Sequence, residues 1–478
     1  MDFKKIKKIY LIGVKGVGMT MLGQYLAAQG AQVSGSDGPE KYMTDAALKN
    51  SGIKIIEHFN AANIPKDVDL VIYSTAYNAE TNVEVAVALS GKIKTLTYAQ
   101  ALGEVFNQKY GLAVVGSHGK TTTTAWLGYV MKMAELEPSV MVGASVPQFN
   151  GCALTGESDY LLIEADEYQN KLKYYEPKAV ILTNIDYDHP DFFSTAEDYK
   201  NVFLEFIKKI PVKGFLVANF DDPLIRKIAR VNCRGQVITY ALNEAADYVA
   251  YDIKSDGQRQ YFKVKLGAGD EDNPPYPPLS RGDELGDFSI RLCGRHNIYN
   301  ALAVIAASVE LGIELFKIRK YLEEFSGAAR RMQVLGEFKG ALVIDDYAHH
   351  PTEIKATLEA LRQKYGGRKL VVAFHPHTFS RTKALFNNFA QSFSQADELI
   401  IIDIYGSARE KQGGVSSLEL TREIRIRNQE SGIRQTVDHI PTLAECEEYL
   451  RRKAKRDDII VLMGAGDIFR VGNNLLSK

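Results

Sequence analysis

Short apolar runs alternate with stretches of helical periodicity from the start of the chain. In the first block, apolar runs at 9–12 and 70–73 predict strands, 32–37 predicts a further strand with its exit, and 19–29 predicts a helix. A glycine loop at 13–18 joins the first strand to that helix. Strand, helix and strand in this order predict βαβ units and a parallel sheet.

The same alternation returns in two further blocks. Strands are predicted in the second block at 112–115, 160–163, 179–182 and 215–218, and in the third at 341–344, 370–374, 399–402 and 459–463. The stretch 251–292 is typical of antiparallel, loop-rich structure, and its acidic, proline-dense part at 270–278 predicts a solvated surface loop.

These blocks predict an α/β protein of three domains, each built on a mostly parallel sheet with flanking helices. The chain has 478 residues, whereas single cores seldom grow beyond about 250–300 residues. We place the domains at 1–103, 104–325 and 326–478, with the first and third Rossmann-like and the central one of the P-loop ATPase type.

Composition excludes several classes of protein. The net charge is −1, from 58 basic and 59 acidic residues, so nothing predicts a nucleic-acid partner. No run of about 18 apolar residues predicts membrane insertion. Four cysteines, far apart and without metal-ligand spacing, fit a reducing cytosol. We therefore expect a cytoplasmic protein. We also expect a monomer or weak dimer.

The most informative motif is a glycine turn between the strand at 112–115 and the following helix. Such a turn lets backbone N–H groups approach phosphates, and the helix N-terminus adds positive potential. Lys120 would reach the β- and γ-phosphates, and the Thr121 hydroxyl would bind Mg²⁺. The predicted cradle is a shortened variant that comprises Gly116, Ser117, His118, Gly119, Lys120, Thr121 and Thr122.

The glycine loop at 13–18 is a weaker signal of a nucleotide. It is similar to a dinucleotide fingerprint, and Asp37 follows the second strand where a ribose-binding acid would lie. The loop has an extra residue before its second glycine and lacks the last small residue. A diphosphate-bearing nucleotide other than NAD therefore fits as well.

Acidic residues and a histidine follow two strands of the second block. Glu164 ends one strand, and an acidic group there could hold the Mg²⁺ that Thr121 also binds. For Glu167, both a role at this site and a solvated surface charge remain open. His189, among several carboxylates after the next strand, suits a second divalent metal.

Further polar groups lie at the start of a helix and at the ends of strands in the third block. Because the carboxyl ends of parallel strands meet at one edge, these groups indicate a single crevice. They are Asn297 and Asn300, which share a helix face, Arg331, Asp346, His349, His350, His377 and Arg381.

Taken in order, these motifs resemble those of the Mur ligases, the ATP-dependent ligases that build the peptide of bacterial cell-wall precursors. The resemblance covers nearly the whole chain, and His-His-Pro-Thr-Glu and Ser-Arg-Thr are its most specific stretches. The matching segments lie at 16–19, 34–37, 119–124, 164–167, 184–186, 294–297, 345–353 and 376–382. The branch that it resembles most joins L-alanine to the carboxyl group of UDP-N-acetylmuramate through an acyl phosphate.

The resemblance implies a role for each domain, and the third would close over the other two and help bind the amino acid. The first would hold the UDP-sugar through Gly16, Val17, Gly18, Met19, Ser36, Asp37, Ser74 and Thr75. The second would bind ATP with Mg²⁺, through the cradle, Asn297, Asn300 and Arg331, with Thr121, Glu164 and His189 as metal ligands. Lys120, Asp346, His349 and Arg381 would serve catalysis, with His349 the preferred base for the amine.

Some departures and alternatives bear on the substrate. Thr378 stands where many members have arginine, His375 replaces a common glutamine, and 168–170 depart from the usual serine- and aspartate-bearing sequence.

A recycling ligase that adds a whole tripeptide to the same sugar is the nearest alternative. A folate polyglutamate ligase fits the first glycine loop less well, and a dehydrogenase leaves Lys120 unexplained. A nucleotide-dependent binding protein that hydrolyses ATP slowly is the alternative of another class.

Overall fold

The computed structural model describes residues 3–42, 44–91, 93–267, 284–406, 410 and 412–477. The predicted surface loop at 270–278 lies outside these residues. Three sheets, each mostly parallel and flanked by helices, confirm the predicted α/β class. Within the described ranges, no helix has both the length and the apolar character needed to cross a bilayer.

The N-terminal sheet is entirely parallel, in the order β3-β2-β1-β4-β5. Its strands are β1 (Lys8–Ile12), β2 (Gln32–Ser36), β3 (Lys54–Ile56), β4 (Leu70–Tyr73) and β5 (Thr95–Thr97). Its helices are α1 (Val17–Ala28), α2 (Asp45–Asn50), α3 (Val83–Ser90) and α4 (Tyr98–Phe106).

The central sheet has ten strands, in the order β15-β14-β13-β12-β11-β10-β6-β9-β7-β8. Its strands are β6 (Tyr110–Val115), β7 (Ser139–Val146), β8 (Gly151–Leu154), β9 (Tyr160–Glu164), β10 (Ala179–Leu182), β11 (Phe215–Asn219), β12 (Gln236–Ala241), β13 (Tyr248–Ser255), β14 (Gln260–Leu266) and β15 (Glu284–Ile290). Its helices are α5 (Lys120–Met133), α6 (Ala196–Ile207), α7 (Pro223–Asn232), α8 (Arg295–Glu310) and α9 (Leu315–Glu324). As expected, β13, β14 and β15 pair antiparallel.

The C-terminal sheet runs in the order β16-β17-β21-β18-β19-β20, with only β16 antiparallel among these strands. Its strands are β16 (Gln333–Phe338), β17 (Ala341–Asp346), β18 (Leu370–Phe374), β19 (Glu398–Ile401), β20 (Thr436–His439) and β21 (Ile459–Met463). Its helices are α10 (Pro351–Tyr365), α11 (Phe379–Ala384), α12 (Phe386–Ala390), α13 (Ser417–Glu430), α14 (Leu443–Lys453) and α15 (Phe469–Leu476).

Burial explains why these apolar runs form inner strands. Every residue of β10, β18 and β21 is buried, which is typical of parallel strands covered by helices on both faces. One cluster of buried apolar side chains extends from the N-terminal domain into the central domain, and residues of α4 belong to it. The division that we predicted between residues 103 and 104 falls inside α4.

Candidate active site

The phosphate loop is shaped by two glycines with positive φ. Gly116 follows β6 with a φ of 127°, and Gly119 precedes α5 with a φ of 81°. A Cβ at Gly119 would lie 2.6 Å from Asn300 Oδ1, and one at Gly116 would lie 2.2 Å from Thr183 Oγ1. No side chain caps the start of α5. The loop therefore holds its backbone close to its neighbours and presents a helix N-terminus, as an anion site requires.

Lys120 is held inside the protein by anionic and carbonyl oxygens. Its ammonium group donates to Glu167 Oε2 at 3.0 Å, to the Ser117 carbonyl at 3.1 Å and to the Gly116 carbonyl. Burial alone would lower the pKa of Lys120, but the carboxylates of Glu167 and Asp166 outweigh it and raise that pKa. Lys120 is therefore a fixed positive charge beside the loop.

Glu167, for which the sequence left a surface position open, is 1% exposed and central to this arrangement. The Tyr199 hydroxyl donates to Glu167 Oε1 at 2.9 Å and lies 2.8 Å from Ser117 Oγ. Tyr199 escaped the sequence analysis because it lies on α6, as an apparent core aromatic. Its place as the third acid of the Glu-Ala-Asp-Glu run was the only signal for Glu167.

Two groups of donors have the composition of divalent-cation sites. Thr121 Oγ1 donates to Glu164 Oε1 at 2.8 Å, and Glu164 Oε2 accepts from the Gly143 backbone at 2.7 Å. In the second group, single ligand atoms of His189, Asp166 and Glu167 lie within 4.8 Å of one another. Hard oxygen donors fit Mg²⁺ in the first group, and the second adds an imidazole.

A cavity of about 1100 Å³ lies between the central and C-terminal domains, on the other side of the phosphate loop. Among the described residues, Lys120, Glu164 and His189 are outside its lining. Seven of the predicted residues line it, namely His118, Gly119, Thr122, Asn297, Asn300, Arg331 and Asp346. The structure thus divides the predicted nucleotide site into two parts. One is the cavity, and the other, the charged side, contains Lys120, Glu164 and His189.

The first turn of α8 forms one wall of the cavity. Asn300 Nδ2 donates to Asn297 Oδ1 at 3.0 Å, and the Thr123 hydroxyl donates to Asn300 Oδ1 at 3.2 Å. This chain of hydrogen bonds fixes α8 against α5. His296, which the sequence analysis did not select, also lines the cavity, and its buried Nδ1 has no hydrogen-bond partner among the described residues. Burial and then Arg331 lower the pKa of His296 to about 4, so its ring is neutral.

The C-terminal domain contributes Arg331 and Asp346. Arg331 Nη2 donates to Thr121 Oγ1 at 3.2 Å, and its guanidinium lies 5.1 Å from the centre of the Tyr347 ring. Asp346 accepts from the Met332 backbone at 2.7 Å and from the Ala348 backbone at 2.9 Å. Asp346 therefore orders the segments on either side of it.

Arg381 reaches across the domain boundary to a residue that the sequence analysis did not select. Its Nε donates to Asp188 Oδ1 at 2.7 Å, and Nη2 to Oδ2 at 3.3 Å, with both side chains under 8% exposed. Although burial raises the pKa of Asp188, Arg381 holds it well below the usual range. Thr378, the residue that departs from the family pattern, caps the helix of Arg381 and accepts from its backbone at 3.4 Å.

His349 lies near this ion pair and beside a carboxylate. Its Nδ1 is 3.0 Å from the Tyr347 carbonyl oxygen and 3.2 Å from Glu353 Oε2. The His377 ring centre is 6.3 Å from that of His349, and burial followed by Arg381 lowers the pKa of His377 to about 3. A hydrogen-bonded imidazole next to a carboxylate can accept a proton.

In the N-terminal domain, the glycine loop is tied to Asp37. The Lys15 backbone donates to Asp37 Oδ2 at 2.7 Å, and the Tyr77 hydroxyl donates to Asp37 Oδ1 at 3.3 Å. The Lys15 side chain is fully buried, with its ammonium group 2.9 Å from both the Gly38 and the Glu40 carbonyl oxygens. Lys15 thus anchors the segment after β2, a role that the sequence did not indicate.

The other predicted sugar-site residues differ in how accessible they are. Gly16 is exposed at the start of α1, followed by the half-buried Val17 and Gly18. Ser74 and Thr75 are half-buried after β4, and Thr75 Oγ1 lies 3.4 Å from Gln169 Oε1 of the central domain. By contrast, Met19 packs in the core, and the Ser36 hydroxyl is buried against Glu84. A ligand would therefore contact the backbone of Met19 and Ser36 rather than their side chains.

Comparison with known proteins finds matches along most of the chain. Family models described as "Mur ligase family, catalytic domain", "Mur ligase middle domain" and "Mur ligase, glutamate ligase domain" match residues 8–110, 114–308 and 330–466. A UDP-N-acetylmuramate–L-alanine ligase from Desulfitobacterium hafniense is 38% identical over 98% of this chain and 99% of its own length. A ligase of the same name from Alkaliphilus metalliredigens is 38% identical over 100% of this chain and 99% of its own.

Solved structures share the fold. A UDP-N-acetylmuramate–alanine ligase from Thermotoga maritima superposes with a TM-score of 0.80 at 24% identity, covering 98% of each chain. A murein peptide ligase from Psychrobacter arcticus has a TM-score of 0.70 at 23% identity, again over 98% of each chain. A UDP-N-acetylmuramate:L-alanyl-gamma-D-glutamyl-meso-diaminopimelate ligase from Neisseria is 27% identical with a TM-score of 0.60, over 68% of this chain and all of its own. With relatives at 38% identity from end to end, the chain belongs to the Mur ligase family.

Proposed function

We propose that this protein joins L-alanine to the carboxyl group of UDP-N-acetylmuramate in peptidoglycan precursor synthesis, while ATP is converted to ADP and phosphate. The observation that carries the proposal is the 38% identity to relatives named for this reaction, which extends over essentially both full lengths. Both ends of the chain are included, so the sugar-binding and amino-acid-binding domains take part in the match.

The first chemical step must overcome repulsion between two anions, the sugar carboxylate and the γ-phosphate. Each like-charge pair at about 4 Å costs roughly 4 kcal/mol at an effective dielectric near 20. Lys120 supplies a positive charge beside the phosphate loop, and in this structure its ammonium group is paired with Glu167. We infer that Lys120 leaves Glu167 for the phosphates when ATP binds, which lets the carboxylate displace ADP and form an acyl phosphate.

The two donor groups fit divalent cations, and we assign Mg²⁺ to them. Thr121 and Glu164 would hold one ion, and His189 with Asp166 and Glu167 would hold the other. Bound there, Mg²⁺ would neutralise charge on the phosphates and the carboxylate. Glu167 would then exchange a lysine for a metal ion as its partner, which keeps its buried charge compensated throughout.

In the second step, the amine of the amino acid attacks the acyl carbon and must first lose a proton. We assign its removal to His349, because Nδ1 of that ring is hydrogen-bonded and Glu353 would stabilise the imidazolium that forms. Arg381 lies beside this position and would orient the carboxylate end of the amino acid or the intermediate. Arg331 and Asp346 would close the cavity over ATP.

A second candidate function is addition of the tripeptide instead of L-alanine. It is favoured by the 27% identity to the solved Neisseria ligase named for a tripeptide substrate. That likeness covers 68% of this chain, so it supports the shared chemistry more than the choice of amine.

The decisive experiment measures ADP release and new amide together. The purified protein receives Mg²⁺, ATP and UDP-N-acetylmuramate, with L-alanine, L-serine, glycine or the tripeptide in separate reactions. We expect one amide per ADP with L-alanine and little turnover with the tripeptide. Turnover with the tripeptide alone would favour the recycling reaction. Phosphate release that ignores both acceptor and amine would instead favour a nucleotide-dependent binding protein.

A further inference from the structure

Three potential metal ligands converge at a place that the proposed reaction does not use for Mg²⁺. His118 of the phosphate loop, Asp186 after β10, and His350 at the start of α10 each offer one atom, and these atoms lie within 4.8 Å of one another. Asp186 Oδ2 is 3.0 Å from His118 Nε2 and 3.5 Å from His350 Nδ1. Neither Glu164 nor His189 belongs to this cluster.

The second nitrogen of each imidazole already has an oxygen partner. His118 Nδ1 lies 3.2 Å from Glu353 Oε1, and His350 Nε2 lies 3.3 Å from the Tyr187 carbonyl oxygen. Metal-bound histidines almost always donate their other N–H to a carboxylate or a backbone carbonyl, which fixes the ring and its tautomer. The two rings are therefore oriented as they would be around an ion, with His118 Nε2 and His350 Nδ1 facing Asp186. His350 Nδ1 also accepts from the Thr352 backbone at 3.3 Å, a hydrogen bond that an ion would replace.

The spacing of the ligand atoms is near that of a tetrahedral site. Bond lengths of about 2.0–2.2 Å give donor separations of about 3.3 Å in such a site. Two of the separations here are 3.0 and 3.5 Å. The third, between the imidazoles of His118 and His350, must contract toward the same value from at most 4.8 Å. Two imidazoles and a carboxylate suit Zn²⁺ or Co²⁺, whereas Mg²⁺ prefers oxygen donors.

We propose that His118, Asp186 and His350 form a binding site for a transition-metal dication such as Zn²⁺, and that the ion clamps the central and C-terminal domains together. His118 and Asp186 belong to the central domain and line the cavity, which provides access for the ion. His350 caps a helix of the C-terminal domain. An ion bound by all three residues therefore bridges the two domains at the phosphate loop, and it opposes their separation.

The test follows Co²⁺ directly, because its visible absorption reports coordination without turnover. The full-length protein is titrated with Co²⁺ in excess Mg²⁺, which occupies the oxygen-rich sites. We expect one equivalent with a tetrahedral spectrum and no sulfur-to-metal band, displaced by Zn²⁺. In H350Q, and separately in H118Q, the affinity should fall by about 100-fold or more, because a direct ligand is removed and loss of only an outer hydrogen-bond partner already costs about 10- to 100-fold. Each variant is first checked for folding by circular dichroism.

The matched control is His439→Gln. His439 Nε2 lies 2.7 Å from Asp403 Oδ1, so it is also a histidine–carboxylate pair, but it is not part of a described three-ligand cluster. H439Q should bind Co²⁺ as the original chain does. Equal binding in folded H350Q and H118Q, or loss of binding in E167Q instead, would overturn the proposal. As a further readout, Zn²⁺ should reduce the radius of gyration of the original chain but not that of H350Q.

Discussion

At the residue scale, Glu167 holds the position on which the charged side of the site depends. Without its carboxylate, Lys120 loses its 3.0 Å partner and the second donor group loses a ligand. We expect Glu167→Gln to lower kcat by about 100- to 1000-fold, the range found when one electrostatic contact to a reacting group is removed. Steady-state ADP release at saturating substrates measures this change.

The control for that variant is a lysine–glutamate pair of the same length at the surface. Glu176 Oε1 lies 3.0 Å from Lys209 Nζ, with the Glu176 side chain 60% exposed. Exposed pairs contribute little, so Glu176→Gln should keep kcat within about twofold. Similar losses in both variants would show that Glu167 acts through general stability.

Tyr199 tests whether Glu167 has to be oriented as well as present. Its hydroxyl donates to Glu167 Oε1 at 2.9 Å from a fully buried position. Because a buried hydrogen bond to a charged group is lost, Tyr199→Phe should lower the free energy of unfolding by about 1–3 kcal/mol, and kcat with it. Urea denaturation and steady-state kinetics measure the two effects. Tyr251→Phe, which removes an exposed hydroxyl contact to Glu284, should change neither.

At the scale of elements, the phosphate loop depends on a glycine just before α5. Alanine at position 119 would combine a φ of 81° with a Cβ 2.6 Å from Asn300 Oδ1. Left-handed backbone costs about 1–2 kcal/mol, and the clash must also move α8. We expect Gly119→Ala to weaken ATP binding at least tenfold, measured by calorimetry.

The variant Gly30→Ala separates the backbone strain from the steric clash. Gly30 has a φ of 91°, but a Cβ there meets nothing within 4 Å. This variant should carry the backbone strain alone, with a lower melting temperature and unchanged ATP affinity. If Gly119→Ala behaved in the same way, the approach of α8 to the loop would have no part in binding.

Elements of the fold differ in how far their sequences reveal them. The fully buried strands β10, β18 and β21 are continuous apolar runs, and the patterning predicts them well. The strands β3 and β5 went unpredicted, since each has only three residues and none of these is buried. Such strands form because the sheet beside them offers hydrogen bonds, a condition that no local pattern records.

At the scale of the whole molecule, the site is assembled from distant parts of the chain. The motifs predicted which residue types would meet at the strand ends, because parallel topology brings those ends together. They could not predict pairs such as Arg331 with Thr121, which are 210 residues apart and meet only when two domains touch. Asp188 was missed and Glu167 was left undecided for the same reason, since burial and partners define their roles.

The buried pair of Asp188 and Arg381 joins the central and C-terminal domains. Removing one partner of such a pair costs about 3–5 kcal/mol, because the other charge stays buried and unpaired. If the domains open, Arg381 returns to water. Asp188→Asn should therefore disfavour the closed arrangement of the domains and leave the free energy of unfolding nearly unchanged. We expect a larger radius of gyration by small-angle X-ray scattering, a lower kcat and a nearly unchanged melting temperature.

Asp438→Asn, which breaks an exposed pair with Arg425 inside one domain, should leave all three unchanged. A melting temperature that fell in D188N without a change in shape would place the pair in the stability of the fold instead.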